Sequence, residues 1–223
     1  MILATFSIAA RCARSGDFGV AVATARPAVG ALVPFVSRRG AIATQARVNT
    51  DLGRRGLALV DQGVPVAVAL SGLLRADADQ TLRQLHGVDE GGVFVHTGER
   101  CVPWCGHVVG AGFSAAGNML AGERVIQAMA EAFTAAAEAE LSERLVRALE
   151  AGQAAGGDKR GKQSAALLVA AEDPRGYHNL RVDDHADPVA ELRRVYDVAA
   201  RHWERIGQEY GVEGQRLFGR IKY

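Results

Sequence analysis

The sequence predicts an α+β fold: a four-layer α-β-β-α sandwich of two antiparallel sheets, face to face, with helices outside. Three observations lead there. Strand-like segments come in clusters, and helix-like segments come in pairs between them, which excludes the strict βα alternation of a Rossmann fold or barrel. Aromatic residues make up only 6% of the chain, whereas glycine supplies 26 of 223 residues. A core of Ala, Val and Leu with glycines at close backbone approaches suits tightly packed sheets.

The elements follow in order. Thr5-Phe6-Ser7-Ile8-Ala9 alternates polar and apolar side chains with period two and begins the first strand. The stretch from Met1 to Ala10 has no basic residue ahead of it and is short for a signal-peptide core, so it reads as strand. Ser15-Gly16-Asp17 is a turn cluster, and Phe18 to Thr24 is the second strand. Arg38-Arg39-Gly40 separates two more, Ala28 to Val36 and Ala41 to Val48. A helix from Leu52 to Gln62 stops at Gly63. Pro65 suits the first turn of the next, which carries Val66, Leu70, Leu73 and Leu74 at helical spacing. Strands return between Arg83 and Ser114.

Two further helices span Leu120 to Ala137 and Leu141 to Ala151, stopped by Gly156-Gly157. Gln163 to Ala171 reads as a strand buried on both faces. Asp187-Pro188 reads as an N-cap and first helical residue, followed by Leu192, Val195, Ala199, Trp203 and Ile206 on one face. No linker divides the chain. Residues 1–223 are expected to form one domain, with 1–4 as an N-terminal extension and 187–223 as a C-terminal helix and tail.

Charge excludes one partner class. Lys and Arg total 26 against 25 Asp and Glu, with no long basic run, so no nucleic-acid partner is expected. The longest uncharged stretch, Cys101 to Gly122, contains His107, Ser114 and Asn118 and is too polar for a bilayer, so no membrane partner is expected either. Three unevenly spaced cysteines, Cys12, Cys101 and Cys105, form no disulfide framework and point to a reducing, cytoplasmic compartment. There is no phosphate loop, dinucleotide fingerprint, nucleophile elbow or His-Glu-x-x-His, and no cofactor is expected.

Several polar groups remain as site candidates. Cys101, Cys105 and His107 form Cys-x3-Cys-x-His, with His96 near in sequence; buried thiols explain the pattern more simply than zinc, and no metal is expected. In the segment Gly156 to Ser164, Asp158 and Arg160 are placed to pair, and Gln163 and Ser164 either line a cleft or form an ordinary turn. Gln45 and Asn49 suit either an oxyanion contact or capping of the next helix. Asp183-Asp184-His185 reads as a turn.

Thr5 heads the first strand. Enzymes with an N-terminal nucleophile need Thr, Ser or Cys as residue one, with the hydroxyl attacking and the α-amine taking its proton. Here Met1-Ile2-Leu3-Ala4 precedes it, so that chemistry requires cleavage at Ala4–Thr5.

Together, Thr5-Phe6-Ser7-Ile8, Gly40-Ala41-Ile42-Ala43-Thr44-Gln45, Gly117-Asn118-Met119-Leu120, Ala155 through Ser164 and Arg181 through His185 resemble a bacterial and archaeal domain-of-unknown-function family, number ten twenty-eight of that series. The resemblance covers roughly Thr5 to Trp203. It implies the N-terminal nucleophile (Ntn) hydrolase fold and, by superfamily analogy, amide hydrolysis. Relatives often begin Met-Thr-Phe-Ser; this chain departs by Ile2-Leu3-Ala4. The Asp and Lys of proteasome-type members are also missing, because the corresponding neighbourhoods read Thr24-Ala25-Arg26 and Gly40-Ala41-Ile42.

The reading that follows is an Ntn-type amidohydrolase of a small amide or peptide-like substrate. Thr5 is the nucleophile, Gln45 or Asn118 holds the oxyanion, Arg160 grips a substrate carboxylate, Asp158 orients Arg160 or the amine, and Ser164 lines the cleft. The alternative is a non-catalytic small-molecule-binding protein on the same fold. A third possibility is a hydrolase whose nucleophile is Ser7, Ser164 or Cys105, assisted by His107. A homodimer is expected.

Overall fold

The computed structural model describes residues 2–3 and 5–219, with side chains over 5–215. Part of the expected extension (residues 1 and 4) and the end of the expected tail (220–223) lie outside the described residues. The strands are β1 (Ile2–Leu3), β2 (Thr5–Arg11), β3 (Phe18–Thr24), β4 (Pro34–Val36), β5 (Gly40–Arg47), β6 (Arg83–Asp89), β7 (Val93–Thr97), β8 (Gly106–Gly110), β9 (Phe113–Asn118), β10 (Ser164–Ala170) and β11 (Asn179–Val182). The helices are α1 (Thr50–Asp61), α2 (Val66–Arg75), α3 (Arg124–Ala135), α4 (Leu141–Ala154) and α5 (Pro188–Gly219), the last broken at Gly211, whose φ is +67°.

The result is a mixed α+β architecture with two antiparallel sheets. One has six strands in the order β11-β10-β3-β2-β9-β8. The other runs β1-β5-β6-β7, with β4 also paired to β5. Period-two alternation assigns the faces. On β2, Phe6, Ile8 and Ala10 join the apolar cluster built with α3, α4 and α5, including Met129, Phe133, Leu145 and Leu192. Ile42 and Leu85 of the second sheet pack against Leu52, Val60 and Leu70 of α1 and α2. The other faces meet each other: Ala9, Val20 and Val22 of the first sheet cluster with Ala41, Ala43 and Val88 of the second. Residues that alternate with these, Thr5 and Ser7 among them, therefore point between the sheets.

Two expected boundaries shift for identifiable reasons. The strand expected over Ala28 to Val36 survives only as β4. Ala28 has φ +58°, which breaks the extended backbone, and a 3-10 turn over Val29–Ala31 follows. That turn brings Val29 and Val33, four residues apart, into the inter-sheet cluster. The helix expected from Leu120 starts at Arg124. Met119 has φ +52°, and Leu120 is still held in a strand-like bridge to Asp158. Asn49 is a cap: its side chain accepts the Asp51 N–H at the start of α1. No helix of the described residues is long and apolar enough to cross a membrane.

Candidate functional site

Thr5 opens β2, between β3 and β9. The register places it opposite Asn118 on one side and Thr24 on the other, and Thr24 opposite Ser164. These four side chains form a transverse row on the inter-sheet face, and all four are buried. Gly117 permits the close approach, since a Cβ there would meet Leu120 at 2.4 Å and the Thr5 carbonyl at 3.1 Å. Two atoms of the row are orphans. Thr5 Oγ1 and Asn118 Oδ1 are buried without a hydrogen-bond partner. Burying such a group costs about 1–3 kcal/mol, and native structures hold few of them.

The gap at the N-terminal end of β2 is closed by the segment around Asp158. Lys159 N donates to Met119 O, Ala121 N donates to Gly157 O, and Asp158 bridges Leu120. On the other side Asp158 Oδ2 accepts the Ala25 N–H at 2.9 Å. Leu120 continues the course of β9 and Ala25 that of β3, so Asp158 lies across the head of β2. Its carboxylate, 1% exposed, also takes Arg160 N (2.9 Å), Nε (3.2 Å) and Nη2 (2.9 Å). Ahead of Thr5 the backbone belongs to the second sheet, with Leu3 paired to Ala46 and Ile2 to Arg47. Ala46 and Met119, which directly follow Gln45 and Asn118, both have positive φ, +65° and +52°. Non-glycine residues held there store backbone strain of order 1 kcal/mol or more, and such strain gathers at functional sites.

A buried polar network extends from this row between the sheets. Gln45 Nε2 donates to Gln84 Oε1 (2.8 Å) and to Ala116 O (3.2 Å), so its Oε1 is the acceptor for the Ser7 hydroxyl at 2.7 Å. Ser7 then accepts from His86 Nε2–H (2.8 Å), and His86 Nδ1 accepts from Ser114 (2.9 Å). In this tautomer His86 is a donor to Ser7, not a base for it. Burial, helped by nearby His107, pushes the His86 pKa down to about 3, so the ring is neutral. Gln84 Oε1 also accepts Asn118 Nδ2 (3.1 Å), which links the network to the Thr5 row. Gln84 Nε2 reaches Thr97 Oγ1, which meets His107 Nδ1 at 3.0 Å.

The expected site residues thus separate. Thr5, Asn118 and Asp158 gather at the head of β2. Gln45 stands one link away, with its amide committed to Ser7, Gln84 and Ala116. Arg160 already grips Asp158 through Nε and Nη2. Ser164 shares the row, about 10 Å from Thr5 at two strand spacings. Its hydroxyl donates to Arg26 O and accepts Val29 N–H, securing the turn after β3.

The other candidates have partners of their own. Cys101 Sγ donates to Arg83 O and Cys105 Sγ to Cys101 O; burial raises both thiols, Cys101 to about 11, away from the reactive thiolate. Among the described residues, no three His, Cys, Asp or Glu side chains converge as metal ligands. Asp183 pairs with Arg181, Asp184 accepts from Gln163, and His185 accepts the Asp187 N–H, which makes that segment a turn. Sequence reasoning missed Gln84, His86 and Ser114. Gln84 and His86 alternate with Leu85 and Gly87, a pattern that by itself reads as a solvent face; the structure turns it toward the other sheet.

With this geometry in view, the comparisons are specific. The chain matches the model described as "Family of unknown function (DUF1028)" over residues 5–192. It is similar to the crystal structure of protein SPO2555 from Silicibacter pomeroyi, which carries the same family description, at 31% identity. That match covers 99% of this chain and 98% of the other, with a TM-score of 0.82. No curated protein matches. A buried threonine heading the central strand, with its row of polar neighbours, therefore belongs to a member of the family of unknown function DUF1028.

Proposed function

We propose that this chain is an Ntn-type amide hydrolase for a small amide or peptide-like substrate, on the four-layer sandwich of that superfamily, and that Thr5 becomes its nucleophile once the Ala4–Thr5 bond is cut. The observation that carries this reading is the buried, unpartnered Thr5 Oγ1 beside the unpartnered Asn118 Oδ1. After cleavage, the Thr5 α-amine takes the hydroxyl proton as Oγ1 attacks the substrate carbonyl carbon. The C–N bond breaks and the amine leaves with that proton. Water then hydrolyses the ester on Thr5. Asn118 Nδ2 gives one hydrogen to Gln84 and keeps a second for the oxyanion. Gln45 and Gln84 position Asn118. Asp158, across the head of β2, faces the new α-ammonium and sets its orientation. Arg160 holds Asp158 in this reading.

The complete burial of Thr5 favours the second reading, a non-catalytic small-molecule-binding protein on the same fold. Intact mass during incubation separates the two. Wild type is expected to lose residues 1–4 and Thr5→Ala to keep them. Retention of those residues by both contradicts self-processing.

A further inference from the structure

Strand β2 carries Thr5 at one end and Arg11 at the other, both on the inter-sheet face. Six strand residues span about 20 Å, so Arg11 marks a place remote from the Thr5 row. There the structure holds a cavity of about 620 Å³, lined by Arg11, Arg38, Arg39, Phe18, Pro65 and Glu90 among others.

The charges in this cavity are unevenly satisfied. Arg38 Nη1 pairs with Asp17 at 2.9 Å. Among the described residues the one carboxylate Arg11 pairs with is Glu90, at 3.2 Å through Nη2 and 85% exposed, and its guanidinium lies 6.0 Å from the centre of the Phe18 ring. Arg11 Nε is buried with no acceptor. The Arg39 guanidinium has no hydrogen-bonding or ionic partner among the described residues. It lies against Gly63, where a Cβ would come within 3.6 Å of Nη2. Asp89, the other acid lining the cavity, makes no ion pair with these groups among the described residues. Its two oxygens accept the backbone N–H groups of Val66 (2.6 Å), Gly91 (2.9 Å) and Gly92 (2.8 Å). Guanidinium forks match the paired oxygens of carboxylates and phosphates, and here they stand beside the apolar surfaces of Phe18 and Pro65.

We infer that this cavity binds a small organic oxyanion, a carboxylate or phosphate, between Arg11 and Arg39, with its apolar part against Phe18 and Pro65. Glu90 is the weak internal competitor for Arg11. The inference does not depend on the reading of Thr5.

Isothermal titration of the full chain with citrate, and separately with inorganic phosphate, at fixed ionic strength tests it. Wild type should give saturable binding in at least one arm, and the arm that responds identifies the oxyanion class. Arg39→Gln, an exposed change, should weaken binding about tenfold or more. Glu90→Gln should tighten it by freeing Arg11, and Thr5→Ala should leave it unchanged. Absence of saturable heat in both arms, or an Arg39→Gln affinity equal to wild type, overturns the site. An unaltered Glu90→Gln affinity removes Arg11 from it. None of these results bears on hydrolysis at Thr5.

Discussion

Replacing His86 with leucine is expected to cost the fold about 4 kcal/mol, read from urea unfolding at neutral pH. The ring is fully buried and joins Ser7 to Ser114 through both nitrogens. Leucine leaves the Ser114 hydroxyl without its acceptor, at about 1–3 kcal/mol, takes one of the two partners of Ser7, and fits poorly in a space shaped for an imidazole, at about 1–3 kcal/mol more. The same variant changes the pH dependence. Burial holds the folded pKa at about 3, against about 6.5 for a free histidine. Between those values the unfolded chain binds more protons than the folded one. The contribution of neutral His86 is therefore complete above about pH 6.5 and is lost as pH falls toward 3, at about 1.4 kcal/mol per unit. Wild type should lose stability more steeply than His86→Leu between pH 6.5 and 5. Carboxylates such as Glu140 and Glu143, also shifted down by their basic partners, act in both proteins and cancel in the comparison. Parallel curves would contradict a buried neutral imidazole.

Asp158→Ala is expected to destabilise by about 3 kcal/mol, and Arg160→Ala by clearly less. Removing the carboxylate strips the Ala25 N–H and the Arg160 N–H and guanidinium of their acceptor at once. Removing Arg160 instead leaves a carboxylate that still accepts from Ala25 N. Breaking a buried pair typically costs about 3–5 kcal/mol; Arg160 is 27% exposed, which lowers the figure here. Thermal melts of the two variants read the asymmetry directly. If Arg160→Ala proved the more damaging, the carboxylate would not be the organising group at the head of β2. If Thr5 is freed by self-processing as proposed, Asp158→Ala should also slow the loss of residues 1–4 where the fold survives, because Asp158 lies across the head of β2.

The parts of the molecule legible in the sequence are those where local pattern and tertiary demand agree. Phe18 to Thr24 is read with its true limits because strict alternation serves two buried faces. Helices α1, α2 and α4 follow from apolar spacing and the stops at Gly63 and Gly156-Gly157. The misreading at Ala28 to Val36 arose from an apolar run that reads as strand, whereas burial of Val29 and Val33 is achieved by a turn. Of the candidate site, Thr5 and Asn118 were legible as polar residues, and the structure sets them opposite each other on β2 and β9. Gln45 and Ser7 were named singly, but their link through Gln84, His86 and Ser114 was not legible, since polar residues alternating on a strand ordinarily mark a solvent face. Here that face looks at another sheet, so each polar group must find its partner across about 10 Å of protein rather than in water. Only pairing between elements distant in sequence, such as Ser7 with His86, makes the difference visible.

The claim that Thr5 is an N-terminal nucleophile is tested most directly by acyl labelling. The chain is expressed from a Met-Thr start, so that methionine removal exposes Thr5, and a free N-terminal threonine is verified by sequencing. It is then treated with a β-lactone probe and mapped by mass spectrometry. The expected result is one adduct on the Thr5 peptide, kept in Thr5→Ser and absent in Thr5→Ala. A verified N-terminal threonine that takes no adduct, or labelling that persists in Thr5→Ala, would contradict the account.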